Sequence, residues 1–141
     1  MAGYSGTPLP KKLGIKEGSL VALVGAPAGF AATLGELPAG AAIVAVARQA
    51  ETDVVVFFAI TCAAFEARFA ELATWLRPAG GLWVAWPKRT SGVATDLNEN
   101  LIREFGLADG LVDNKVCAID ETWSGLRFVY RLRDRPPKRK Q

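Results

Sequence analysis

The chain has 141 residues, of which 50% are hydrophobic and 22% charged, a composition typical of one globular domain with a sizeable core. It contains no histidine. This absence excludes Ser-His-Asp and Cys-His nucleophile systems, histidine general acid–base catalysis and every zinc site that needs a histidine ligand.

The two cysteines, Cys62 and Cys117, lie in apolar strand-like settings without C-x-x-C spacing. Two thiols alone form no metal cluster, so no metal site is expected. We interpret both as buried thiols in a reducing compartment. A reactive thiol is the alternative for Cys62, because it stands where a strand is expected to meet a helix N-terminus.

The formal net charge of +3 is concentrated at the C-terminus. Residues 131–141 hold six of the 17 basic residues and one of the 14 acidic ones, so residues 1–130 carry a net charge of −2. The pair Pro136-Pro137 should end any strand, which predicts a single domain over residues 1–135 and a basic flexible tail over 136–141. We interpret the tail as a solubilising terminus, with a phosphate-contacting arm as the alternative.

Residues 1–18 are rich in glycine, proline and lysine and predict an extended lead-in. Unbroken apolar runs, typical of parallel strands covered on both faces, predict buried strands at 19–24, 42–47 and 54–60. A short helix is expected at 30–34, closed by Gly35. The longest apolar run, 54–65, is shorter than the roughly 20 residues that span a bilayer, so we expect a cytoplasmic protein with no membrane partner.

Apolar residues recur at helical spacing from Phe65 to Leu76 and predict a helix over about 63–77. Pro78 and a Gly80-Gly81 turn should end it and lead into a fourth strand at 82–86.

Asp96 is the expected N-cap of the next helix, since Glu99 completes a capping box, and Gly106 is expected to end that helix. Residues 115–119 and 125–133, joined by a polar turn, predict an antiparallel pair. The whole pattern predicts an α/β, Rossmann-like domain. It would combine a mostly parallel sheet, helices on both faces and a C-terminal antiparallel hairpin.

The order of these elements resembles a shortened S-adenosylmethionine-dependent methyltransferase core, over residues 13–133. The lead-in LGIKEG, the D-x-V strand, the turn LRPAGG, the strand LWVAW and the terminal hairpin all have counterparts in that family. The runs GYSGTPLPKKLGIKEG, GLWVAWPKR and GLVDNKVCAIDETWSGLRF also resemble a small bacterial family of uncharacterised proteins. That family is a domain of unknown function and implies no particular activity.

Three departures from the methyltransferase pattern predict a truncated or lost cofactor site. The loop from Gly25 to Gly29 has two glycines and no acid, and Pro27 removes a backbone donor. Where the resemblance implies an acid that accepts the ribose hydroxyls, the chain has Arg48, with Glu51 as a distant substitute. Too few residues separate the second strand from the third for the strand and helix that wall in the adenine.

Ligands of open α/β sheets bind beyond the carboxyl ends of the parallel strands, where Gly25, Gly29, Arg48, Lys88 and Ser91 are expected. The two cations, with the hydroxyl of Ser91, could hold a phosphate or another anion. An ordinary solvated loop is the alternative for residues 88–91.

The hairpin carries a second polar cluster, predicted as an interaction surface in which a tryptophan acts as a stacking platform or interface anchor. A salt-bridged hairpin with a half-buried tryptophan is the alternative. The members of this cluster are Asp113, Asn114, Lys115, Asp120, Glu121, Trp123, Ser124 and Arg127.

The leading prediction is a non-catalytic binding or interaction module on this scaffold, with no catalytic residue and no cofactor. Its partner would be a protein or an anionic small molecule. One alternative is an S-adenosylmethionine-dependent methyltransferase with a reduced cofactor site around Gly25 and Gly29. The other is a nucleic-acid-associated protein that uses the basic tail.

Overall fold

A computed structural model describes residues 7–44 and 47–134, and the basic tail at 136–141 lies outside these residues. Within them, six strands form one sheet in the order β2-β1-β3-β4-β6-β5. The strands are β1 (Leu20–Val24), β2 (Ala42–Val44), β3 (Thr52–Phe58), β4 (Leu76–Pro87), β5 (Leu111–Ala118) and β6 (Trp123–Tyr130). The first four are parallel and β6 is antiparallel to both β4 and β5, which confirms the predicted fold class.

Helices cover both faces of the sheet. They are α1 (Leu9–Lys12), α2 (Phe30–Leu34), α3 (Cys62–Ala73) and α4 (Glu99–Ala108), with short 3-10 helices at Arg89–Ser91 and Leu132–Asp134. The lead-in and α2 pack on one face around Phe58 and Trp83, and α3 and α4 pack on the other around Phe69 and Phe128. No helix in the described ranges is both long and apolar enough to cross a membrane.

The described part of the lead-in, residues 7–18, is fixed to the sheet rather than extended throughout. The short helix α1 begins after Pro8, with Pro10 in its first turn, where a missing backbone donor is tolerated. Leu13 beyond it is fully buried, and its carbonyl accepts a hydrogen bond of 2.9 Å from the indole Nε1–H of Trp83. This bond satisfies a polar group that burial of the tryptophan would otherwise leave unpaired.

The predicted boundary between α3 and β4 is wrong. Helix α3 ends at Ala73, and β4 contains the Gly80-Gly81 pair that was expected to form a turn before it. Thr52 pairs with Leu76, but Val54 pairs with Gly81. An advance of two residues along β3 therefore corresponds to an advance of five along β4. A Cβ on Gly80 would lie 2.9 Å from the carbonyl oxygen of Thr52. The glycines therefore serve an irregular stretch inside the strand.

The predicted ends of α4 are also wrong. The side chain of Asn98, not Asp96, caps the helix by accepting a 2.9 Å hydrogen bond from the N–H of Leu101. Gly106 lies inside the helix. Only glycine fits there, because an added Cβ would come 2.6 Å from Cζ of Phe128. A glycine that sequence patterns associate with a helix end is used here for close helix–sheet packing. The two hairpin strands start earlier than predicted, and the second ends at Tyr130.

Candidate functional site

The carboxyl ends of the four parallel strands meet along one side of the sheet, here called the carboxyl edge. Gly25 follows β1, Arg48 lies beyond β2, Thr61 follows β3 and Lys88 follows β4. The β5–β6 turn reaches the same edge, since the N–H of Lys88 donates a 2.7 Å hydrogen bond to the carbonyl of Thr122. The loop after β4 and the turn between β5 and β6 are therefore neighbours, although the sequence patterns assign them to two separate clusters.

The turn from Gly25 to Gly29 is open on its outer side and filled beneath. Both glycines have positive φ angles, 70° and 85°. A Cβ on Gly25 would lie 2.9 Å from the carbonyl oxygen of Phe58, so the fold itself requires glycine there. An added Cβ on Gly29 would meet no atom within 4 Å. Phe30 fills the inner side, with its ring 4.8 Å from that of Phe58 in an edge-to-face arrangement.

Arg48 and Lys88 follow strands that are not neighbours in the sheet. Strands β1 and β3 lie between β2 and β4, so the strands that precede these residues are about 14 Å apart across the sheet. Ser91 stays close to Lys88, because its hydroxyl donates a 2.7 Å hydrogen bond to the Lys88 carbonyl and accepts one of 3.1 Å from the N–H of Val93. The Ser91 side chain thus stabilises the loop that carries Lys88.

Glu51, the predicted substitute for a ribose-binding acid, lies at the wrong edge of the sheet. It directly precedes β3, and its N–H donates a 3.1 Å hydrogen bond to the carbonyl of Trp75, just before β4 begins. The seven residues of β3 span about 20 Å between this position and the carboxyl edge. Its carboxylate is therefore out of reach of the Gly25–Gly29 turn.

An open cleft of 990 Å³ occupies the part of the carboxyl edge beyond β4 and β6. Its volume lies at the upper end of the range of small-molecule sites, about 300–1,000 Å³. The floor includes Trp86 and Ser124, which are register partners on β4 and β6. Polar side chains dominate the rim: Lys88, Arg89, Thr90, Thr95, Asp96, Asn98, Glu99 and Asn100. Sequence reasoning missed most of this rim, because it is assembled from the loop before α4 and the first turn of that helix.

Asp96 fastens this loop to the start of α3. Its Oδ1 accepts a 2.8 Å hydrogen bond from the N–H of Cys62, and its carbonyl accepts one of 3.4 Å from the Cys62 thiol. Partial burial raises the pKa of the Cys62 thiol, and Asp96 and Glu66 raise it further. A thiol with a raised pKa is protonated near neutral pH, so this geometry does not favour the reactive-cysteine alternative. Burial likewise raises the pKa of the Cys117 thiol.

The predicted interaction surface on the hairpin is divided by the structure. Trp123 is only 8% exposed and packs edge-to-face on Phe58 at 5.0 Å, so it belongs to the core and offers no open stacking platform. Asp120 caps the turn by accepting hydrogen bonds from the N–H groups of Thr122 and Trp123, at 2.8 and 2.9 Å. Glu121 is exposed beside it.

The remaining members of that predicted surface lie along the strands, away from the turn. Asp113 pairs with Arg103 of α4 at 2.9 Å, on one face of the sheet. Lys115 and Arg127 are register partners on the other face. The hairpin residues therefore do not form one continuous surface. Within the described ranges, no three His, Cys, Asp or Glu side chains come close enough together to hold a metal ion.

No protein-family model matches the sequence, and no curated protein matches it either. The resemblance to a small bacterial family therefore stays a prediction.

Solved structures of methyltransferases share the fold. An S-adenosylmethionine-dependent methyltransferase from Aquifex aeolicus has a TM-score of 0.61 at 16% identity, over 85% of this chain and 86% of its own. A TehB-like methyltransferase from Corynebacterium glutamicum has a TM-score of 0.55 at 10% identity, over 92% and 91%. The 1,6-didemethyltoxoflavin-N1-methyltransferase from Burkholderia thailandensis, solved with S-adenosylhomocysteine, has a TM-score of 0.55 at 11% identity, over 85% and 73%. At these identities the likeness shows the fold alone: the chain has a methyltransferase-like Rossmann fold.

Proposed function

We propose that the protein is an S-adenosylmethionine-dependent methyltransferase with a reduced cofactor site at its carboxyl edge. The observation that carries this proposal is the fold, which matches methyltransferases over 85–92% of the chain, including one solved with the product form of the cofactor. These findings favour methyl transfer over a module without catalysis. Fold alone does not fix function, so the site residues must be tested against the cofactor.

The turn between Gly25 and Gly29 meets one requirement of a cofactor site, a backbone that the ligand can approach closely. Its outer side is exposed and bears only small side chains at Ala26 and Ala28, so a ligand can approach the backbone closely. Ala26, Ala28 and Gly29 retain backbone N–H groups, whereas Pro27 has none.

The protein groups expected to contact the ribose hydroxyls fit the cofactor less well. Arg48 stands where an acid is expected, and a guanidinium suits a carboxylate or a phosphate better than a diol. With Glu51 at the opposite edge, the nucleoside would be held by backbone groups and water at that point. We therefore expect weaker binding of the cofactor than in methyltransferases that keep the acid.

A bound cofactor would supply an electrophilic methyl group, and the chain would bind and orient the acceptor. The cleft beyond β4 suits this task, since Trp86 offers an apolar wall and Ser124 a hydroxyl. The charged side chains that line it, Lys88, Arg89, Asp96 and Glu99, would orient a polar acceptor.

A matched pair of substitutions tests the site. Ala28 and Ala67 are both exposed, the first on the glycine turn and the second on α3. In calorimetric titrations of the full chain with S-adenosylmethionine, Ala28→Trp should weaken binding by about tenfold or more, equivalent to about 1.4 kcal/mol. Ala67→Trp should leave the affinity within about twofold of the parent. Absence of binding to the parent protein, or equal effects of the two substitutions, would refute the proposal.

A non-catalytic module that binds an anionic ligand is the second candidate. It is supported by Arg48 in place of an acid and by Lys88 and Arg89 on the rim of the cleft. The same titrations separate the two candidates, because this module should bind inorganic phosphate or a carboxylate and ignore S-adenosylmethionine. The predicted use of the basic tail for nucleic acid concerns residues outside the described ranges and stays a prediction.

A further inference from the structure

A second cleft, of 420 Å³, lies at the opposite, amino-terminal edge of the sheet. Among the described residues, five basic side chains and one carboxylate, that of Asp53, line it. The cations come from the lead-in, β4, β5 and β6: Lys12, Lys16, Arg77, Lys115 and Arg127. The cleft lies away from the Gly25–Gly29 turn and shares no lining residue with the cleft beyond β4. Its charge is notable because residues 1–130 as a whole carry a net charge of −2.

A strand irregularity brings Lys115 into this cleft. Asp113 pairs with Phe128, but Lys115 pairs with the neighbouring Arg127, so one extra residue, Asn114, is inserted in β5. Because side chains alternate along a strand, this bulge moves Lys115 from the α4 face to the face that holds Arg127.

A missing side chain makes room for Arg127. The guanidinium lies against the backbone of Gly81, where an added Cβ would come 2.6 Å from Cζ of Arg127. Gly81 is buried, so a side chain there would displace the guanidinium from this position. Both the bulge and the glycine thus serve to place cations around one cavity.

Hydrogen bonds to carbonyl and amide oxygens hold three of these cations in position. Nζ of Lys12 donates to the carbonyl of Ala118 at 2.9 Å, and Nζ of Lys115 donates to the carbonyl of Lys12 at 3.3 Å. Nη1 of Arg127 donates to Oδ1 of Asn114 at 3.3 Å. Such contacts fix the position of each donating group.

The one carboxylate in the lining already has partners. Oδ2 of Asp53 accepts a 2.8 Å hydrogen bond from the N–H of Leu20, and Oδ1 pairs with Nε of Arg77 at 3.2 Å. Asp53 can therefore offset only part of the positive charge around the cleft.

We propose that this amino-edge cleft binds a small anion with several phosphate groups, either an inorganic oligophosphate or the phosphate chain of a nucleotide. Cations on four different elements suit an anion whose charge is spread over more than one phosphate. A volume of 420 Å³ lies within the range of small-molecule sites. Binding here is independent of the proposed methyltransferase site.

Calorimetric titration of the full chain with inorganic tripolyphosphate at low salt tests the proposal. Lys16 and Lys115 are both exposed, so Lys16→Glu and Lys115→Glu should leave the fold intact and weaken binding by about tenfold or more each. Lys11→Glu is the matched control, because it makes the same charge change on α1 at a residue outside this lining. It should change the affinity by less than about twofold.

Competing ligands identify the chemistry that is recognised. ATP should bind about as tightly as tripolyphosphate and compete with it, whereas neither adenosine nor excess S-adenosylmethionine should displace tripolyphosphate. Failure of tripolyphosphate to bind would overturn the proposal. An equal loss on Lys11→Glu would overturn it too, since attraction would then follow net charge alone. If a single-stranded oligonucleotide bound at least about tenfold more tightly than tripolyphosphate, the natural ligand would be a nucleic acid polymer. The proposal of a small ligand would then be wrong.

Discussion

Asp96 and Cys62, 34 residues apart, are joined by a 2.8 Å hydrogen bond from the Cys62 N–H to the Asp96 carboxylate. The N-terminus of a helix leaves N–H groups unpaired and favours a nearby negative charge. Thr61 accepts from Ala64 in the same turn, at 3.1 Å. Asp96 therefore completes the capping of α3 from outside the helix and holds the rim of the cleft in place.

Asp96→Ala should destabilise the protein by about 1 kcal/mol, because it removes an acceptor and a charge from the first turn of α3. Asp96→Asn keeps an acceptor and should cost less than half as much. Urea unfolding of the parent and both variants measures these differences. Equal stability of Asp96→Ala and the parent would show that the contact contributes nothing.

The same substitution should make the Cys62 thiol more reactive. Asp96→Ala removes a negative charge that raises the pKa of this thiol, so the pKa should fall, while the hydrogen bond from the thiol to the backbone carbonyl of residue 96 is kept. Partial burial, the largest cause, remains, and the pKa should stay above the ordinary range of cysteine. Alkylation rates against pH, measured in a Cys117→Ser background with Cys62 as the single thiol, would follow this change. A profile unchanged by Asp96→Ala would contradict it.

Gly106→Ala should destabilise the protein by about 1–3 kcal/mol, although alanine is the better helix former. An added methyl group would come 2.6 Å from Cζ of the buried Phe128. Thermal or urea unfolding measures the loss. The double variant Gly106→Ala/Phe128→Leu should be less destabilised than the sum of the two single variants, because the smaller side chain relieves the clash. Strict additivity would mean that the two residues do not compete for space.

Tyr130 should make the stability depend on pH in the alkaline range. Its hydroxyl donates a 2.7 Å hydrogen bond to the Ala73 carbonyl. Burial and then the charge of Asp109 raise its pKa above the ordinary 10.0. Because the folded protein holds this proton more tightly, the stabilisation is complete below the ordinary pKa and is lost as pH rises through the raised value.

The free energy of unfolding should therefore fall more steeply above about pH 10 in the parent than in Tyr130→Phe. Near neutral pH the variant should be less stable by about 1 kcal/mol, the usual net value of a lost hydrogen bond. Parallel pH profiles for the two proteins would contradict this assignment.

Element types and sheet layout could be predicted from the sequence because they depend on apolar periodicity. The three runs 19–24, 42–47 and 54–60 identified β1, β2 and β3. The ends of elements were harder to predict, since glycine has more than one use. Gly106 packs under an aromatic ring, and Gly80 and Gly81 lie within β4.

The candidate site could be predicted only where it follows directly from strand ends. Gly25, Gly29, Arg48 and Lys88 lie at the predicted edge, but their lateral separation depends on the strand order. The cleft beyond β4 and the basic cleft at the opposite edge bring together residues distant in sequence, as with Lys16 and Arg127. Charge composition conceals the basic cleft, because acids elsewhere in residues 1–130 outweigh it.

Titration of the ¹⁵N-labelled protein with S-adenosylhomocysteine, followed by amide chemical shifts, tests the cofactor site most directly. We expect the largest shifts at Ala26, Ala28 and Gly29, with Gly14 and Gly18 near the amino edge unchanged. No shift at the glycine turn under saturating ligand, or shifts confined to the amino edge, would contradict a cofactor site at the carboxyl edge.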